Sequence, residues 1–358
     1  MIMMTNIVIS KKMRTTAEQR VHRVTICENQ RIQFIDSVKK AAFIIGTALV
    51  VFVAFRNTLV WHLQRIWGGS ASLWQSMFDH TYVLFGSSDF NVAIWGTTVI
   101  CMAVFWTANI FLIIVDLTGK PEFFYNYKIQ PKENVPVDPK RLKKAVLAVL
   151  FNQLVIGPPF LIVAWYFSEM RGCQFHGDLP TFQWVLLEMT VFVFVEEAFF
   201  YYSHRTLHHP RLYKYIHKKH HEWTAPIGII SLYAHPIEHI FSNLLPPIMG
   251  PLLMGSHIAT AWMWFAIALL STTNSHSGYH LPLMPSPEAH DYHHLKFNQC
   301  YGVLGVLDRL HGTDNQFRES KAYQRHIMLL NTEPLSKQYP DDPKKGRATA
   351  STSAAKEQ

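Results

Sequence analysis

Apolar residues in this chain gather into long runs instead of alternating with polar ones. Val92–Val115 is a 24-residue run, against the roughly 20 residues a helix needs to cross a bilayer. Ala145–Phe167 predicts a second spanning helix, bent at Pro158–Pro159. Phe182–Tyr202 predicts a third, unusual in carrying Glu188, Glu196 and Glu197. Ala41–Phe55 is shorter, but Leu59, Val60 and Trp61 extend it while Arg56 snorkels. Ile240–Leu270 is interrupted by Pro246–Pro247, Gly250–Pro251 and Gly255–Ser256, which predicts a re-entrant or short helical hairpin. The expected fold is therefore an all-α integral membrane protein with about four transmembrane helices plus that hairpin.

The polar segments between the runs give an orientation. Residues 1–40 hold eight Lys/Arg and the 117–144 loop seven, whereas the 57–90 loop holds only Arg65 and the 168–181 loop only Arg171. By the positive-inside rule the N-terminal tail, the 117–144 loop and everything after the fourth span face the cytosol. Composition agrees: charged residues are 16% of the chain, against about 25% in soluble proteins. The formal charge is +8, and no apolar stretch with a cleavage site follows the basic N-terminus. Four cysteines without CxxC spacing exclude a disulfide-stapled secreted fold. The Lys/Arg interleaved with the histidines suit anionic lipid or an acidic redox partner, and no nucleic acid is expected.

Histidine is the outlier. Fourteen of the 20 lie between 204 and 294, in regularly spaced groups. His204, His208 and His209 read HRTLHH; His217, His220 and His221 read HKKHH; His276 and His280 read HSGYH; His290, His293 and His294 read HDYHH. On an α-helix, positions i, i+3 and i+4 share a face, so each group projects its imidazoles together. His209 lies about 100° round from His208 and competes with it as a ligand. One metal takes three to six donors, and this many imidazoles fits two metals in one cavity. A zinc hydrolase would need only three or four ligands, and a structural zinc site would be Cys-rich.

With its order, spacing and flanks, the series HxxxHH, HxxHH, HxxHH resembles the fatty acid hydroxylase superfamily of membrane non-haem di-iron oxygenases. The stretches YYSHRTLHHPRLYKYIHKKHHEWTAPIG, YAHPIEH and HDYHHLKFNQCYGVLGVLDRLHGTD are similar to the fatty acid hydroxylase domain-containing branch, near the C4-methylsterol oxidases. The resemblance implies two iron ions, O2 as co-substrate and a lipid substrate, with a sterol first among them. A fatty acyl or sphingolipid hydroxylase, a desaturase, or a non-catalytic relative stays open. It implies electrons from a separate NAD(P)H-linked donor, a cytochrome b5 with its reductase, since the chain has no nicotinamide, flavin or haem motif. It also implies an endoplasmic reticulum membrane location. The implied ligands are His204, His208 or His209, His217, His220, His221, His290, His293 and His294, with His276 and His280 as additional ones.

Other residues sit close to the pattern. Glu197, seven residues before His204, shares its helical face and would orient an imidazole or bind metal, unless it is solvated at the membrane boundary. His235, in the AHPIEH stretch, is either beside the metals or a cap. Asp291 and Asn298 would hydrogen-bond ligand N–H groups or serve local turns. Asp308 and Arg309 suggest an ion pair. The expected organisation is a basic tail over 1–38, spans and loops over 39–182, a catalytic domain over 183–314 with a cytosol-facing histidine-rich cap, and a polar C-terminal tail over 315–358.

Overall fold

The computed structural model describes residues 68–341 continuously, together with 61–66 and scattered positions between 35 and 53. Most of the expected basic tail, six of the 15 residues of the expected first span Ala41–Phe55 and the last 17 residues lie outside the described ones. The chain divides into two units, Met1–Ser72 and Leu73–Gln358. In the first, the described positions are helical and expose Phe43, Leu49 and Val50. Every residue considered below belongs to the second.

That unit opens with helical residues 73–84 (α1) and continues into Asp89–Thr118 (α2). Ser88 caps α2, and Gly119, in the left-handed region at φ 72°, ends it. Asp138 caps the next helix, Pro139–Arg171 (α3), with Pro139 in its first turn. The expected bend at Pro158–Pro159 takes the form of a π turn at Asn152–Ile156, just where the missing proline N–H groups interrupt the ladder. Among the described residues, α2 and α3 are the two helices long and apolar enough to span a bilayer. Only 28% and 22% of their most apolar windows are buried within the protein, so their outer faces need an apolar medium. Phe182–Leu207 (α4) has 26 residues but contains the three carboxylates noted above.

The expected hairpin is present as two helices. Pro236–Glu238, the π turn His239–Leu244 and Leu245–Met254 run on as α5, and Ile258–His276 forms α6. Gly255, left-handed at φ 67°, and the cap His257 make the corner. α5 lies close against α4: a Cβ on Gly250 would sit 2.7 Å from the Phe192 ring. Glu288–Lys296 (α7) and Val306–His311 (α8) complete the cap. No strand forms among the described residues; two isolated bridges join Lys128 to Tyr279 and Gln174 to His257.

Polar residues on the apolar helices anchor the irregular segments that carry the site. Asn152 Nδ2 donates to the carbonyls of Leu232 and Ala234, both at 3.1 Å. Asp116 accepts the Tyr279 hydroxyl at 2.7 Å and pairs with buried Lys128 at 3.7 Å. Around them Phe105, Val149, Trp223, Ile229, Ile230 and Tyr233 form one core, fixing the loop after the second histidine box between α2 and α3. Each such large apolar side chain contributes about 1.5–3 kcal/mol on burial. The segment expected as a polar tail packs on the same unit as far as residue 341. Phe317, Leu329 and Leu335 are buried, and Arg325 binds the Tyr339 carbonyl and Asp341.

Candidate metal centre

Nine of the eleven candidate histidines converge in two groups. His204, His208, His217, His221 and His293 form the first, and His220, His276, His290 and His294 the second; within each, one ligand atom per residue lies within 4.8 Å of all the others. They come from the C-terminal end of α4, the turn His217–Glu222, the end of α6, and α7. The i, i+4 pairs fall together: His204 with His208, His217 with His221, His290 with His294. The middle residues cross over, His220 to the second group and His293 to the first. The HKKHH box is a 3₁₀ turn, not the α-helix expected from its spacing. There His217 and His220 stack at 5.4 Å, as residues three apart on a 3₁₀ turn must, yet their ring nitrogens serve different groups.

Hydrogen bonding settles which nitrogen five of the nine rings present. Nδ1–H of His204 donates to the Tyr301 carbonyl at 2.8 Å, of His293 to Gln299 at 2.7 Å, and of His294 to Trp223 at 2.9 Å. His220 donates likewise to Tyr233 at 3.2 Å, and His276 to Thr272 at 2.8 Å. A carbonyl oxygen cannot donate, so these imidazoles are bare at Nε2 when neutral. His217 Nδ1 meets the buried Glu238 carboxylate at 2.8 Å. Burial and the neighbouring imidazoles hold His217, His220, His221, His290, His293 and His294 well below the ordinary histidine value, which keeps the rings neutral.

The Nε2 atoms, bare in each ring whose Nδ1–H is bonded to a carbonyl, point at one another. They stand 3.1 Å apart for His204 and His217, 3.0 Å for His217 and His221, 3.2 Å for His221 and His293, and 3.3 Å for His220 and His276. His294 Nε2 is buried without any partner. Facing lone pairs repel unless a cation lies between them. Nitrogens about 2.1 Å from one ion are about 3.0 Å apart at a right angle and about 3.4 Å apart at the tetrahedral angle. The donor set therefore fits one metal ion in each group.

The remaining candidates fall elsewhere. His209 lies outside both groups because it caps Pro210–Tyr213, its Nδ1 accepting from Arg211 N–H. His280 is also outside: its ring is taken up by Glu288 at 3.3 Å and the Ile327 carbonyl at 2.9 Å. His235 caps Pro236–Glu238, and Glu238 three residues later makes the imidazole contact instead. Asp291 accepts from Gln130 at 2.9 Å and bonds no ligand imidazole; Gln299, not Asn298, supplies the carbonyl to His293. Glu197 is 3% exposed and touches no imidazole. Its carboxylate accepts the N–H groups of Val303, Leu304 and Leu307 at 2.8, 2.8 and 3.1 Å. Asp308 accepts those of Tyr301 and Gly302 at 2.8 and 2.6 Å and so forms no ion pair with Arg309. Together the two carboxylates fix the loop whose Tyr301 carbonyl orients His204. Gly302 leaves the room: a Cβ there would sit 2.9 Å from both carboxylates.

A cavity of about 620 Å³ adjoins the centre, within the 300–1,000 Å³ usual for small-ligand sites. Met102, Phe160, Leu161, Ile248 and Phe265 give it apolar walls, and Ser286, Tyr323 and His326 a polar edge. Of the nine grouped histidines only His276 and His290 line it, both from the second group.

The sequence profile of the fatty acid hydroxylase family matches residues 189–313, from within α4 to just beyond α8. Fatty acid hydroxylase domain-containing protein 2 of Homo sapiens is 54% identical over 309 residues, which cover 86% of this chain and 93% of that protein. The chain belongs to the fatty acid hydroxylase family. Methylsterol monooxygenase 2-1 of Arabidopsis thaliana is 30% identical over 265 residues, 67% of this chain and 95% of that protein. Very-long-chain aldehyde decarbonylase GL1-8 of Oryza sativa subsp. indica is 31% identical over 268 residues, 72% of this chain and 95% of that protein. No solved structure matches. All nine grouped histidines fall inside the matched segment.

Proposed function

We propose that this protein is a membrane-bound, non-haem di-iron oxygenase that hydroxylates a C–H bond of a lipid, and that the lipid is a sterol oxidised in the manner of a C4-methylsterol oxidase. One observation carries the reading: two all-imidazole groups, one of which opens on an apolar, lipid-sized cavity. The proposed ligands are the nine grouped histidines, and the family's usual iron dependence supports iron as the metal. Iron held there supplies the O2 chemistry needed to oxidise an unactivated C–H bond. The chain's own residues do the rest. Neutral rings bind through Nε2, while carbonyls hold His204, His220, His276, His293 and His294, and Glu238 holds His217, through Nδ1. The walls from α2, α3 and α6 exclude water and set which carbon rests beside His276 and His290.

The sterol assignment rests on the relatives that include a methylsterol monooxygenase. We place the enzyme in the endoplasmic reticulum membrane with its N-terminus and histidine boxes on the cytosolic side, and give it a separate cytochrome b5 and reductase as electron donors. The test is untargeted sterol and sphingolipid profiling in cells lacking the protein, rescued by wild type or by a His290→Ala/His294→Ala variant. The reading requires a 4-methylated or otherwise under-oxidised sterol to accumulate and to be cleared by wild type alone. Equal rescue by both proteins contradicts it.

A further inference from the structure

The rim of the cavity is unusually apolar for a surface outside the two apolar helices. Val303 and Leu304, which line the cavity, are 47% and 48% exposed. Val306 and Leu310 on α8 are 53% and 74% exposed, and on the opposite side Ile327 and Leu330 are 46% and 75% exposed. Direct contacts stitch these segments into one collar. Arg309 reaches the Tyr323 hydroxyl at 3.5 Å, His326 meets Ser286 at 3.0 Å, and Leu283 N–H donates to the Leu329 carbonyl at 2.8 Å. At its other edge the collar joins α4, where the Tyr202 hydroxyl lies 3.1 Å from His311 Nε2. That junction adjoins the exposed apolar side chains of α4: Trp184, Leu187, Phe194, Phe199 and Tyr202 fall within about 140° of arc at 100° per residue, and Leu186 lies outside it.

We propose that this collar is seated in the membrane, and that the cavity opens into the bilayer between the 302–305 loop and the 323–327 segment, so that a lipid enters from the side without passing through water. The occupant of the collar is lipid. Contiguous exposed apolar surface of this kind marks a membrane or partner contact; the cavity it rims is walled by Met102, Phe160 and Leu161 of α2 and α3, the two described helices apolar enough to span a bilayer, and that selects the membrane. Arg309, half-exposed at the rim and paired with Asp314 at 3.2 Å, sets a cationic group beside the collar. The inference rests on the oxygenase reading for what enters the cavity, but the position of the collar is independent of turnover.

The experiment attaches an environment-sensitive fluorophore to Leu310→Cys and Leu330→Cys in full-length protein, reconstituted in phosphatidylcholine vesicles. Lys132→Cys, on the polar 117–144 loop, is the control, and labelled wild type gives the signal of the native cysteines. Lipids with brominated acyl chains should quench the labels at 310 and 330 at least two-fold and leave the label at 132 unchanged. Aqueous iodide should show the reverse order. Labels at 310 and 330 quenched by iodide and not by bromolipid would overturn the proposal. So would labels quenched by neither, with cross-linking between copies through the same positions, because a second chain would then cover the collar. A protein that failed to oxidise any sterol would still give a clear answer in this assay, so the two readings fail separately.

Discussion

Replacing Glu197 tests how the first histidine group is held. Its buried carboxylate accepts three backbone N–H groups from the loop after Tyr301. Hydrogen bonds to a charged group are worth about 1.5–3 kcal/mol each. Glu197→Ala leaves all three donors without an acceptor; water entering the vacated space recovers part of the loss, leaving about 3–6 kcal/mol. Glu197→Gln keeps one acceptor oxygen but sets an amide NH2 against backbone N–H, for a loss of about 1–3 kcal/mol. The loop would then release the Tyr301 carbonyl from His204 Nδ1, and losing such an orienting contact typically lowers metal affinity about 10–100-fold. Thermal unfolding of purified protein, with metal content measured alongside, reads both effects. We expect Glu197→Ala to unfold on the order of 10 °C lower, and to lose metal from the first group before the second, with Glu197→Gln between it and wild type. A Glu197→Ala protein with wild-type unfolding and full metal in both groups would refute this account of the loop.

Other perturbations address the centre from different sides. The group histidines have folded values below the unfolded value of about 6.5, His276 being lowered by burial to about 4. The unfolded chain therefore takes up protons first, so chelator-treated protein should be stable above pH 6.5 and lose stability as pH falls towards 4; a flat unfolding profile across that range contradicts it. Glu238→Leu removes the acceptor of His217 Nδ1–H and should lower metal affinity in the first group about 10–100-fold, while Glu238→Gln, which keeps an acceptor, should lose less; equal metal titrations for both variants would count against that role. His209→Ala and His280→Ala should retain full metal content, because both rings lie outside the groups. Loss of one ion from either variant would return that residue to the ligand set.

Much of the centre could be read from residue type and spacing, because imidazoles four apart on a true α-helix must share a face. That holds for His204 on α4 with His208 at its C-cap, and for His290 and His294 on α7. It fails to give the division into groups, because His220 and His293 cross over. Nor does the spacing register the 3₁₀ form of His217–Glu222, in which His220 bonds the Tyr233 carbonyl. The supporting carboxylates were harder to assign. Glu197 does share a helical face with His204, but its partners lie 106 to 110 residues away, a distance that local spacing cannot register. Glu238 is 21 residues from His217 and was masked by the more conspicuous His235 in the same stretch. The apolar runs marked α2, α3 and α4 correctly as helices, and the prolines and glycines of 240–270 marked the corner between α5 and α6. The segment to residue 341 read as a tail because its anchors, Phe317, Leu329 and Leu335, are too widely spaced to form a run.

The central claim is that each group of imidazoles holds one metal ion. The most direct measurement is metal content per chain of protein purified from membranes, for wild type, a His217→Ala/His221→Ala variant and a His276→Ala/His290→Ala variant. The account predicts two irons per wild-type chain and about one in each double variant, all three proteins inserting in the membrane alike. A single zinc per wild-type chain, or two ions retained in either double variant, would contradict it.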